Sequence, residues 1–117
     1  MKGKNSEMII QIFGKNDCQE TKKAIRYFKE RKINFQYIDL SKKNISEREL
    51  ESILKIYTLE DLLDITSKNY IKRNLKYLVF DTKEILLEDS TLLSTPIIRS
   101  KNKIILGFDI SEYDKIK

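Results

Sequence analysis

The stretch Met8-Ile9-Ile10-Gln11-Ile12-Phe13 is a nearly continuous apolar run that stops at Gly14, the pattern of a short buried strand. Lys15-Asn16-Asp17 follows as a loop whose Asn or Asp can cap a helix by accepting backbone N–H bonds. From there to about Lys32 the period changes to that of a helix. Thr21, Ala24, Ile25 and Phe28 recur on one face, while Lys22, Lys23, Arg26, Lys29 and Glu30 point outward. Phe35–Leu40 predicts a second strand, with Phe35, Tyr37 and Ile38 packing. Strand, amphipathic helix and strand within about 33 residues make a βαβ unit, with parallel strands and a right-handed crossover.

The middle of the chain is helical in pattern. Ser46-Glu47-Arg48-Glu49 is a capping box, in which the Ser and Glu side chains exchange bonds with each other's backbone N–H. The helix it opens carries Leu50, Ile53, Leu54 and Tyr57 on one face. Thr58-Leu59-Glu60-Asp61 offers another cap before Leu62 and Leu63. Ile71–Phe80 fits either a helix ending or an irregular connection, and Lys83–Leu93 predicts a helix with Leu86, Leu87, Leu92 and Leu93 inward. Ser94-Thr95-Pro96 holds the only proline of the chain. Pro96–Arg99 and Lys103–Leu106 flank a polar turn at Ser100-Lys101-Asn102, so they predict an antiparallel hairpin that Gly107 ends. Ser111–Lys117 can add a last helical turn or two. The order βαβ, helical block, ββα folds onto a mixed four-stranded sheet. It is the thioredoxin-like α/β arrangement with an all-helical insertion at about 41–93.

Length and composition narrow the classes. The 117 residues suit a single domain spanning 1–117, large enough for a core without staples. The polar start Met1–Glu7 is expected to fray and lacks a signal-peptide core, and no apolar run approaches the roughly 20 residues that span a bilayer. A cytoplasmic monomer with no membrane partner is therefore expected. The net charge is +5, but Lys42 and Lys43 are followed by Glu47, Glu49 and Glu51. Such scatter reads as a solvated surface, and no direct nucleic-acid binding is expected. With one cysteine and no histidine, an internal disulfide, a Cys–His or Ser–His dyad and the usual zinc sites are excluded. No metal and no bound cofactor are expected.

Candidate chemistry then centres on Cys18, which follows a strand and a short loop at or beside the first turn of a helix. There, free N–H groups and the helix dipole stabilise a thiolate. Lys15, Lys22 and Lys23 add to this, and Asp17 and Glu20 oppose it. The alternative is an inert buried cysteine acting as a small apolar residue; the strand–loop–Cys–helix context favours the reactive reading. Cys18-Gln19-Glu20-Thr21 is not C-x-x-C, so no two-cysteine cycle can form, but a mixed disulfide with a small thiol can. The Thr21 hydroxyl either donates to the thiolate or only sits on the helix face. Thr95-Pro96 is a candidate cis bond, placed by the topology opposite Cys18. Arg99, Lys101 and Lys103 either keep the hairpin turn soluble or include one cation that reaches an oxyanion near the thiol.

The cysteine loop Ile12–Ala24, the pair Asp39-Leu40 and the segment Leu92-Leu93-Ser94-Thr95-Pro96-Ile97-Ile98-Arg99 together resemble the arsenate reductase (ArsC)/Spx family, from Met8 to about Tyr113. The resemblance implies a thioredoxin fold. In its reductase branch the counterpart of Cys18 attacks arsenate, and glutathione with a glutaredoxin resolves the product. In its Spx branch the protein regulates transcription by binding the RNA polymerase α subunit and senses oxidation through C-x-x-C. The resemblance places Asn16, Thr21, Lys22, Thr95, Pro96, Arg99 and Lys103 around the thiol as thiolate and substrate support. It implies a thiol–disulfide oxidoreductase served by glutathione or a similar small thiol, with glutaredoxin or thioredoxin as partner. The alternative it implies is a non-catalytic regulator that binds RNA polymerase or another protein. The reductases' oxyanion-binding arginines are replaced here by Thr95 before the proline, Asp64 after Leu62-Leu63, Lys103 in the hairpin and Lys22 after the cysteine. Each lost guanidinium fork removes charge-assisted bonds worth about 1.5–3 kcal/mol, so efficient arsenate reduction is not expected.

Overall fold

The computed structural model describes residues 9–101 and 103–116. The expected fraying of residues 1–7, and the parts assigned to Met8, Asn102 and Lys117, lie outside them. The chain divides into two compact units, one made of the residues up to Asp39 together with Thr95 onward, the other of Leu40–Ser94.

The first unit is built on a four-stranded sheet in the order β2-β1-β3-β4. β1 (Ile10–Gly14) and β2 (Phe35–Asp39) run parallel, Ile10 opposite Phe35 and Gly14 opposite Asp39. β3 (Ile97–Arg99) is antiparallel to β1, pairing Phe13 with Ile97 and Gln11 with Arg99, and β4 (Ile104–Leu106) is antiparallel to β3. This is the mixed, thioredoxin-like sheet that the order of elements predicts. α1 (Gln19–Glu30) joins β1 to β2 and buries Thr21, Ala24, Tyr27 and Phe28. Ile25 packs half-buried against this core, as expected, and Tyr27 joins it: its ring meets Phe28 and Tyr113 edge-on and its hydroxyl donates to the Asp114 carboxylate. The helix stops where Lys32 turns left-handed (φ 57°) and the Ile33 N–H closes on the Phe28 carbonyl at 2.9 Å. The last helix, α6 (Ile110–Tyr113), is capped by the Asp109 carboxylate. Its Tyr113 joins Ile10, Ile12, Ala24, Phe28, Ile98 and Ile105 in the core, each buried Ile or Phe contributing about 1.5–3 kcal/mol.

The second unit is a run of short, individually capped helices. α2 (Glu47–Leu54) opens on the Ser46/Glu49 capping box and α3 (Leu59–Leu62) on a second box formed by Thr58 and Asp61. α4 (Lys68–Lys72) is capped by Ser67. Residues 71–80 then resolve as the end of α4, a left-handed Asn74 (φ 55°), a 3-10 turn at Leu75–Tyr77 and an extended exit. α5 (Thr82–Glu88) is shorter than the helix expected over Lys83–Leu93. Asp89 leaves helical geometry, and its carboxylate accepts from the Thr91 N–H to start a 3-10 turn over Ser90–Leu92. Backbone bonds then stitch the unit together, from Asp64 N–H to the Leu92 carbonyl (2.8 Å) and from Ser94 N–H to the Leu62 carbonyl (2.7 Å). Buried Ser90 accepts from the Ile45 N–H and donates to the Leu86 carbonyl. Among the described residues no helix is long and apolar enough to cross a membrane.

Candidate functional site

β1 ends at Gly14, and the turn after it closes when the Cys18 N–H bonds the Lys15 carbonyl at 3.1 Å. Cys18 is thereby the N-cap of α1, with extended backbone angles (φ −95°, ψ 117°). The expectation that Asn16 or Asp17 caps this helix is corrected. A capping side chain must stand at the N-cap to reach the N–H groups of the second and third helical residues, and Asn16 lies two positions too early. Its amide oxygen instead accepts from the Tyr37 hydroxyl at 3.5 Å. The cap position therefore carries a sulfur.

The half-buried Cys18 thiol donates to the Thr95 carbonyl at 3.5 Å. Burial pushes its pKa up. Hydrogen bonding from the Thr21 and Thr95 side chains, then from the Thr21 and Glu20 backbone N–H groups, outweighs this and brings the thiol below its ordinary value. As a neutral thiol the sulfur makes no capping bond. Ionised, it is the acceptor those two N–H groups lack, in the role an Asp or Ser oxygen takes at other helix starts.

Thr21 stands one turn into α1 and is only 1% exposed. While Cys18 is a neutral thiol, Thr21 Oγ1 is buried without a hydrogen-bond partner, an uncommon state for a buried hydroxyl; the thiolate is the acceptor to which it donates. The side chain is seated on Gly14: a Cβ at that glycine would lie 2.3 Å from Thr21 Cγ2 and 2.8 Å from Oγ1. Gly14 is thus required by close approach. Pro96 is buried behind a cis Thr95-Pro96 bond, and its carbonyl accepts from the Gly107 N–H at 2.8 Å, tying the cysteine-facing end of β3 to the residue after β4.

The structure therefore gathers Asn16, Cys18, Thr21, Thr95 and Pro96 at one end of the sheet. Lys22 is exposed, and its backbone N–H closes the first turn on the Cys18 carbonyl at 3.2 Å. Arg99 and Lys103 are placed elsewhere. Arg99 pairs with Gln11, whose side chain accepts from it at 2.7 Å. It is three residues along β3 from Pro96, about 10 Å of extended chain. Lys103 sits beside the hairpin turn, its Nζ 3.4 Å from Glu112. The expectation that either supports a substrate at the thiol does not fit this placement, because the hairpin turn points away from the end where β1 meets α1. Tyr37 is a site residue that sequence patterning missed. Its phenol is raised by burial, then by the charges of Asp39 and Cys18, so it borders the thiol from β2. Among the described residues no group of three or more His, Cys, Asp or Glu side chains could hold a metal.

Fold and site together define a single-thiol protein of the thioredoxin-like class, its sulfur at the start of the first helix and facing the residue before a cis-proline. The model of the ArsC family matches residues 13–116, and the chain belongs to that family. It is 24% identical over 115 residues to the regulatory protein MgsR of Bacillus subtilis, covering 94% of this chain and 91% of that one. An ArsC family related protein from Bacteroides fragilis superposes with a TM-score of 0.79 at 16% identity, over 94% of this chain and 100% of that one. The arsenate reductase from Vibrio cholerae gives 0.75 at 16% identity, over 94% and 98%.

Proposed function

We propose that this ArsC-family chain is a monothiol thiol–disulfide oxidoreductase in which Cys18 is the nucleophile and glutathione or a similar small thiol is the co-substrate. The observation that carries the reading is a half-buried thiol lowered below its ordinary value by donors at the start of α1 and by an otherwise unpartnered Thr21 hydroxyl. The Cys18 thiolate attacks the glutathione sulfur of a mixed disulfide RS–SG, forming Cys18–S–SG and releasing RS⁻. A second glutathione thiolate attacks that bond, releasing GSSG and returning Cys18 as thiolate. The balance is RS–SG plus GSH giving RSH plus GSSG. The Thr95 carbonyl and Pro96 present backbone to the bound disulfide, and glutaredoxin or thioredoxin can replace the second glutathione. Efficient arsenate reduction is not part of this reading, since Arg99 and Lys103 are held by Gln11 and Glu112 at the hairpin end. Glutathione-dependent turnover of a mixed disulfide, abolished in Cys18→Ser, is the expected result; no turnover above the uncatalysed rate contradicts the proposal.

Similarity to MgsR supports a second reading, in which the chain is a non-catalytic regulator that binds RNA polymerase, through its α subunit, or another protein. Thr21 in place of a second cysteine leaves it without an internal disulfide switch. Co-purification with a polymerase subunit, unaffected by Cys18→Ser, would favour this reading over catalysis.

A further inference from the structure

One stretch of the helical unit leaves apolar side chains exposed. Residues 65–80 contain Lys68, Lys72, Arg73 and Lys76 and no acidic residue. α4 buries none of its own residues, and only Leu75 anchors the 3-10 turn that follows. Around that anchor, Ile71 is 63%, Tyr77 78%, Leu78 56% and Val79 104% exposed. Three consecutive exposed apolar side chains are not explained by the core, since Val79 contributes no burial to it, and runs of this kind mark interaction sites.

The charge within this segment is one-sided. Carboxylates outside it are held by bonds of their own: Asp89 and Glu88 hold Arg73 at 3.0 and 3.7 Å, Asp64 bonds Thr66, and Asp81 caps α5. Lys72 and Lys76 are exposed, with the Lys76 ammonium 5.7 Å from the Tyr77 ring centroid. We propose that Ile71 and Tyr77–Val79, rimmed by Lys72 and Lys76, dock an acidic protein segment whose carboxylates alternate with aliphatic or aromatic side chains. Most of the patch is aliphatic, which a phosphodiester backbone does not reward. α4, at five residues, is too short to lie in a membrane interface as an amphipathic helix. Complementary carboxylates would speed encounter and fix register, while the apolar side chains supply the contact area.

The test uses the isotope-labelled full chain titrated with a synthetic peptide in which Glu alternates with Leu and Phe, followed by amide chemical shifts. Shifts confined to residues 68–80 are expected. Affinity should weaken about tenfold in Val79→Ser/Leu78→Ser, weaken similarly in Lys72→Glu/Lys76→Glu, and fall with added salt. Val79 is fully exposed, so Val79→Ser alone keeps the fold and still must weaken binding. Cys18→Ser must leave binding unchanged, which separates this surface from the thiol chemistry. The proposal is overturned by shifts outside this segment or none at all, or by equal affinity for the peptide with Leu and Phe changed to Ser. Tighter binding to phosphatidylglycerol vesicles or to a single-stranded oligonucleotide would also overturn it, as would a self-association that Val79→Ser abolishes.

Discussion

Thr21→Val separates what the Thr21 hydroxyl does for the fold from what it does for the thiol. The side chain is 1% exposed and Oγ1 has no hydrogen-bond partner. A buried hydroxyl in that state costs about 1–3 kcal/mol of desolvation. Valine keeps the branched shape seated against Gly14, so the glycine accommodates it as it does threonine. At pH below the thiol titration, where the hydroxyl has no acceptor, removing it should therefore stabilise the chain by about 1 kcal/mol, raising Tm by about 4 °C. The same change removes the largest of the hydrogen-bonding influences that lower the Cys18 thiol, so its titration must move upward. Urea unfolding gives the first quantity and the pH dependence of iodoacetamide alkylation the second. A Thr21→Val protein destabilised by more than about 1 kcal/mol, with its thiol titration unchanged, would refute the reasoning.

Gly14→Ala should destabilise by about 1–3 kcal/mol through overpacking on Thr21, and the penalty should shrink in a Thr21→Ala background, measured by urea unfolding of the double-mutant cycle. Ser90→Ala leaves the Ile45 N–H without its acceptor in a buried setting and should cost about 1–3 kcal/mol by the same assay. The lowered Cys18 pKa fixes a sign for stability against pH. An acid whose folded pKa lies below its unfolded value adds stability that is present above the unfolded pKa and is lost as pH falls through the folded one. Unfolding midpoints should therefore rise from neutral pH toward the ordinary thiol range, about 8.5, and Cys18→Ser should flatten that rise.

The two periods of the sequence carry much of this structure. Four apolar runs bounded by Gly14, Pro96 and Gly107 are enough to order the sheet, and the Ser46/Glu49 box marks the start of α2. The differences have two origins, contacts with groups distant in sequence and the position at which a cap falls. The α1 cap lies on Cys18 because Asn16 stands two positions before the N-cap, where its amide accepts from Tyr37. Tyr27 joins the core beside Ile25 because it meets Tyr113 and Asp114 from the far end of the chain. α5 stops early because Asp89 prefers to cap the next turn. At the site, Cys18 and Thr95 were legible from topology, whereas the contact between Gly14 and Thr21 has no signature beyond the residues themselves.

The rate of Cys18 alkylation against pH, in the folded full chain, tests the central claim most directly. A single titration with its midpoint below the ordinary thiol value of about 8.5, moved upward by Thr21→Val, is the result predicted. A midpoint at or above that value, or a sulfur that alkylates only on unfolding, would contradict the account.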